Sequence, residues 1–234
     1  MSLDRLNEKQ RQAAVQLEGP LLILAGAGSG KTSTMTERIA YMIEQGISPY
    51  NILAVTFTNK AASEMKSRVE DLVGRIDDMW IMTFHSMCLR ILRYHCELIG
   101  YDHNFVIYDG TDQKTVVKNI TKALNINDKE FSAPYLLSVI SSCKEKAMDA
   151  EQYRRTMEEN FKTKIIYNVF RAYEEELKKN NAMDFDDLLL NTVRLFETDE
   201  RTLLKYQERF HYIMVDEYQD TNHIQYRLIK MLAE

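Results

Sequence analysis

No apolar run in this 234-residue chain approaches the ~20 residues that cross a bilayer, and the N-terminal MSLDRLNEKQ lacks the hydrophobic segment of a secretory leader. The expectation is a soluble cytoplasmic protein with no membrane partner. Cysteine is scarce as well. Cys88, Cys96 and Cys143 form no CxxC pair, and their odd number argues against a disulfide framework and against structural zinc. Nor is there an excess of basic charge: 30 Lys and Arg face 35 Asp and Glu, a net charge of −5. Any contact with nucleic acid must then sit in a local groove rather than on a broad positive face. Glycine disappears part-way along, since all eight lie at or before Gly110. The two parts of the chain are therefore built differently, and neither contains repeats or a low-complexity linker.

What is present begins with AGAGSGKT, Ala25 to Thr32, placed after the apolar run LLILA (expected to be a strand) and before a helical pattern starting at Lys31. Gly26, Gly28 and Gly30 let the backbone curl without Cβ clashes, so that successive N–H groups can face phosphate oxygens. Ala25, Ala27 and Ser29 complete this phosphate-binding loop. Lys31 is placed to reach the β- and γ-phosphates of ATP, and the Thr32 hydroxyl to complete a Mg²⁺ shell. A triphosphate site also needs an acidic element. YIMVDEYQD, Tyr212 to Asp220, is an apolar strand ending in adjacent carboxylates. Asp216 suits Mg²⁺, and Glu217 suits polarisation of the attacking water.

Around these motifs the first part alternates β-rich runs (ILAVTF at 52, WIMTF at 80) with helical stripes. Met35, Ile39, Met42 and Ile43 form one stripe before Gly46; Ala62, Met65, Val69 and Leu72 form another before Gly74. From about Ser86 to Phe210 helical periodicity dominates, with Ile166, Val169, Phe170, Tyr173 and Leu177 on one face. Thr111 or Asp112 is expected to cap one helix, and Pro134 suits the first turn of another. The sheet resumes at Tyr212, so the helical stretch is an insertion. The expected fold is α/β: a P-loop NTPase (RecA-like) parallel-sheet lobe, incomplete, carrying an inserted all-helical subdomain. Its boundaries are 1–85 and 211–234 for the lobe, and 86–210 for the insertion.

Five motifs in order carry a family resemblance. LNxxQ at Leu6, AGAGSGKT, ILAVTFTNKAASEM from Ile52, TFHSMCLRIL from Thr83 and VDEYQDTN from Val215 resemble the elements of superfamily 1 DNA helicases of the UvrD, PcrA and Rep group, and MDFDDLL from Met183 resembles a further DNA-facing element. The resemblance implies an ATP-dependent helicase or translocase moving 3′ to 5′ on single-stranded DNA and at duplex junctions, in repair or replication restart. It assigns Gln10 to adenine, Gln219 to coupling, and Phe57, Asn59, Lys60, His85 and Phe185 to single-stranded DNA. Ser33 departs from many close relatives, which carry an adenine-stacking arginine there. Seen alone, Phe57 and Phe185 read equally as core, Asn59 and Lys60 as a helix start, and Arg90 and Arg93 as either phosphate contacts or solvated charge.

The resemblance also implies an N-terminal fragment, unable to hydrolyse ATP alone because the second lobe and its arginine fingers lie elsewhere. In such a lobe the strand before the phosphate loop and the acidic strand flank one that is missing here. A dimer through the incomplete sheet, or a rearrangement moving Asp216 relative to Lys31, is the expectation. The other function class left open is a nucleotide-gated DNA-binding or partner-docking module that never hydrolyses.

Overall fold

The computed structural model describes residues 2–26 and 28–234. Its helices in chain order are α1 (Glu8–Val15), α2 (Lys31–Glu44), α3 (Asn59–Val73), α4 (Phe84–His95), α5 (Gly110–Ala123), α6 (Ala133–Glu145), α7 (Ala150–Thr156), α8 (Phe161–Lys179), α9 (Phe185–Thr198), α10 (Glu200–Arg209) and α11 (His223–Ala233). The strands are β1 (Ile52–Thr56), β2 (Trp80–Thr83), β3 (Val106–Ile107), β4 (Ala182–Met183) and β5 (Tyr212–Val215). No helix among the described residues is long and apolar enough to cross a membrane. The chain divides into two compact units, Met1–Met87 with Leu204–Thr221 and Leu232–Glu234, and Cys88–Leu203 with Asn222–Met231.

The first unit is organised by a three-stranded parallel sheet in the order β2-β1-β5. Leu53 is in register with Trp80 on one side and Ile213 on the other. β1 is apolar on both faces because it is buried on both, which is why it reads as a continuous run instead of an alternation. Met35, Ile39 and Met42 of α2 and Met65 and Val69 of α3 pack with Ile52 and Ala54 of β1. α3 stops at Gly74, whose φ of 84° suits a residue without Cβ. Trp80 packs against the rings of Phe210 and Tyr206 at 5.1 and 6.0 Å.

Two expectations are corrected here. Leu21 to Ala25 is not a strand. A strand exists only by pairing, and among the described residues no strand pairs with β5 on the side away from β1. Leu22 and Leu24 are left 65% and 86% exposed. The expected pair of strands flanking a gap is therefore reduced to one strand, paired with β1, and a segment without strand pairing.

The second unit is not all-helical, because β3 and β4 form a short parallel pair, Val106 with Ala182 and Ile107 with Met183. Two residues per strand are too few to show periodicity in a sequence. Helices supply the rest. Ile166, Val169, Phe170, Tyr173 and Leu177 of α8 form a core with Val117, Leu136, Ile140 and Tyr153. Asp109, not Thr111 or Asp112, caps α5, accepting from the N–H groups of both, and Asp112 reciprocates toward the Asp109 N–H. Pro134 occupies the first turn of α6.

Candidate functional site

The described residues of the glycine-rich segment include a backbone turn onto Gly26. Gly26 O accepts both the Ser29 N–H at 3.2 Å and the Ser29 hydroxyl at 2.6 Å, making a tight turn. Gly28 and Gly30 hold φ of 72° and 86°, the left-handed region in which a Cβ is strained. A Cβ on Gly30 would stand 2.9 Å from Gln10 Nε2. α2 starts at Lys31 with Gly30 as a cap that offers no side-chain acceptor, so the first N–H groups keep their donor capacity for a ligand. Ala27 lies outside the described residues; Ala25 and Thr32 are half-buried, and Ser33 is exposed.

Gln10 rests on this loop. Asn7 and Gln10 form the capping box of α1, in which Gln10 Oε1 accepts the Asn7 N–H at 2.9 Å. Its Nε2 donates to Ser29 O at 2.9 Å. Both ends of the amide are thus engaged within the protein, one by helix α1 and one by the loop.

The acidic pair meets the loop. The Asp216 N–H donates to Val55 O at 2.9 Å, extending the β1–β5 ladder one residue past the strand. The Asp216 carboxylate accepts the Thr32 hydroxyl and, through Oδ1 at 3.0 Å, the Glu217 N–H. Glu217 Oε2 lies 3.3 Å from Lys31 Nζ and accepts Gln219 Nε2 at 2.6 Å. Gln219 also reaches Asp220 Oδ2 at 3.3 Å. Burial raises the Asp216 pKa, assisted by the neighbouring Glu217 charge, whereas Gln219 and Lys31 lower that of Glu217. Glu217 holds φ 49° and ψ 45°, a left-handed conformation that an L residue adopts only under constraint.

The remaining predicted residues divide between the units. In the first, Phe57 follows β1, half-buried, its ring 5.7 Å from that of Phe84. Thr58, not Asn59, caps α3, its hydroxyl oxygen accepting the Ala61 N–H at 3.1 Å; Asn59 and Lys60 are exposed. Lys60 stands 3.9 Å from Glu64. His85 is half-buried, and burial lowers its pKa, favouring the neutral ring. In the second unit Phe185 opens α9 and is 51% exposed. Arg93 is not available to phosphate: it donates to His103 O and Phe105 O at 2.7 and 2.8 Å and lies 3.8 Å over the Phe105 ring.

Residues 6–234 match the UvrD/REP helicase N-terminal domain. The chain belongs to the UvrD/REP helicase family. It is 50% identical over 230 residues to the ATP-dependent DNA helicase PcrA of Staphylococcus epidermidis, covering 97% of this chain and 31% of that protein. The PcrA of Staphylococcus aureus is 47% identical over 233 residues, covering 99% of this chain and 32% of the relative. The chain thus spans about a third of the length of these relatives.

Two residues of this UvrD/REP chain escape a motif-based reading. Arg38, buried within the apolar stripe of α2, donates to Ala13 O at 2.8 Å and to Gln16 O, tying the C-terminal carbonyls of α1 to the helix that follows the phosphate loop. Burial lowers its pKa. An arginine beside Ile39 on a core stripe is the only sequence signal for it. The second is Lys144 of α6, fully buried between Asp184 and Asp187. Its partners are about forty positions away, beyond the reach of any local pattern.

Proposed function

We propose that this chain is the N-terminal part of an ATP-dependent DNA helicase or translocase, residues 1–85 and 211–234 being the first motor lobe and 86–210 the inserted subdomain. What carries the reading is one juxtaposition: Thr32 on Asp216 and Lys31 on Glu217 join the phosphate loop to the acidic pair. The adjacent hydroxyl and carboxylate oxygens of Thr32 and Asp216 are the hard donors that suit Mg²⁺. When bound with ATP, Mg²⁺ supplies neutralisation of phosphate charge. Lys31, released from Glu217, would bind phosphate oxygens, and the loop N–H groups would orient them. Glu217, its pKa lowered, is ready to accept a proton from water through a carboxylate oxygen. Gln10 and Ser33 would border the base, and Gln219, bonded to Glu217 and Asp220, would couple the site to the rest of the protein.

Single-stranded DNA is the proposed track, met by Phe57, Asn59, Lys60 and His85 in one unit and Phe185 in the other, with stacking on the aromatic rings tolerant of any base. By the resemblance of its motifs to the helicase group, the proposed movement is 3′ to 5′ at duplex junctions, in repair or replication restart in the cytoplasm. This chain alone is proposed to bind nucleotide without turning it over. The open edge of β5 and the exposed Leu22 and Leu24 favour edge-to-edge association of two copies; a monomer by analytical ultracentrifugation at high concentration would refute that part.

Calorimetry tests the nucleotide site. The chain is expected to take up MgATP weakly, and Lys31→Ala to abolish the heat of binding. Undiminished binding by that variant would overturn the assignment of the loop.

A further inference from the structure

Lys144 has no access to water, a costly placement for an ammonium group unless every proton finds an acceptor. Its Nζ lies 2.7 Å from Asp184 Oδ2 and 2.7 Å from Asp187 Oδ1. Those two aspartates are also the cap of α9. Asp184 Oδ1 accepts the Asp187 N–H at 2.8 Å, and Asp187 Oδ2 accepts the Asp184 N–H at 3.1 Å. The work is divided oxygen by oxygen: on each carboxylate one oxygen closes the cap and the other meets Lys144. The Tyr173 hydroxyl adds a bond to Asp184 Oδ2 at 2.9 Å. Asp186, between them, is tied to Ser141 of the same helix that carries Lys144. The first turn of α9 is therefore held at 184, 186 and 187, and Phe185 in the same turn is 51% exposed.

We propose that Lys144 is a positioning residue for single-stranded DNA binding: by gripping both capping carboxylates of α9 it fixes the first turn of the helix and, with it, the ring of Phe185. This rests on the reading above that Phe185 meets DNA. Stability alone does not account for the cluster, because a buried ion pair seldom outperforms apolar residues of the same size, whereas its directional bonds define geometry. Burial opposes the Lys144 charge, yet Asp187 and Asp184 outweigh it and its pKa is raised, so the grip persists at neutral pH.

The test is a double-mutant cycle on this chain, reading the affinity for fluorescent oligo(dT) at low salt, with circular dichroism to verify folding. Phe185→Ala is expected to weaken binding by about fivefold to a hundredfold, the range for loss of one stacked base. Lys144→Met should reproduce most of that loss, and the double variant should be no weaker than Phe185→Ala. Phe57→Ala, in contrast, should multiply the loss of either. If Lys144→Met does not fold, Asp184→Ala keeps a balanced Lys144–Asp187 pair while removing the cap, and the same non-additivity with Phe185→Ala is expected. Native affinity in a folded Lys144 or Asp184 variant, or losses that multiply with Phe185→Ala, would overturn the proposal. An unchanged affinity for Phe185→Ala by itself, or no measurable binding by the native chain, would instead sink the DNA reading beneath it.

Discussion

Asp216 and Glu217 are chain neighbours whose carboxyl groups are driven in opposite directions, one upward by burial and one downward by Gln219 and Lys31. For Asp216, whose folded pKa is raised, the stabilising contribution is complete below the ordinary carboxylate value and fades as pH rises through the raised one. A divalent cation binding there must displace the proton. Uptake of MgATP is accordingly expected to release more protons from this group at pH just above ~4 than at pH 8. Calorimetry in two buffers of different ionisation heat reads this directly, and equal proton counts at both pH values would refute it. The contribution of Glu217 runs the other way, present above its unfolded pKa and lost as pH falls through the lowered one. In the longer protein Glu217→Gln is expected to cut turnover by at least ~10²-fold while nucleotide affinity is retained, since it removes the acceptor for the water proton and leaves the loop intact. Turnover at the native rate would assign the base elsewhere.

Among the elements, those with a long or regular pattern were legible and those defined by a distant partner were not. β1, β2 and β5 follow from apolar runs bounded by polar residues, and α2, α3 and α8 from stripes that the core then buries. Leu21 to Ala25 has the composition of a strand but pairs with no edge, while β3 and β4 pair over only two residues each. At the candidate site the loop and the acidic pair were legible as motifs because each is a run of adjacent residues, and the structure brings the two runs together. Arg38 and Lys144 were not, since each is defined by acceptors far along the chain. Arg38 gives the prediction at this scale. It holds the carbonyl end of α1, whose Gln10 reaches the loop. Arg38→Met should free α1, raising amide exchange across Glu8–Val15 by about tenfold or more and weakening MgATP, with β1 still protected. Unchanged exchange in α1 would show that the tie is dispensable.

For the whole molecule, a net charge of −5 sets the terms of the proposed DNA binding. Affinity must come from a few local contacts and stacking, so it is expected to be low and indifferent to sequence, and to fall as salt rises with a shallow slope of about −0.7 per phosphate contacted. Filter binding with oligo(dT) and mixed-sequence strands across a salt series measures both properties. A strong sequence preference, or no dependence on salt, would contradict this picture.

The left-handed backbone of Glu217, with φ 49°, has a consequence for any attempt to harden this protein. A non-glycine residue held there costs on the order of 1 to 3 kcal/mol, and glycine or asparagine would relieve much of it. A library of the longer protein screened for heat tolerance alone should therefore converge on Glu217→Gly or Glu217→Asn, and one screened for ATP turnover should return glutamate. Heat-selected survivors that all keep glutamate would show that this backbone carries no such cost. If the two screens diverge, position 217 is where robustness and work are in direct conflict, and the natural residue records which of them selection favoured.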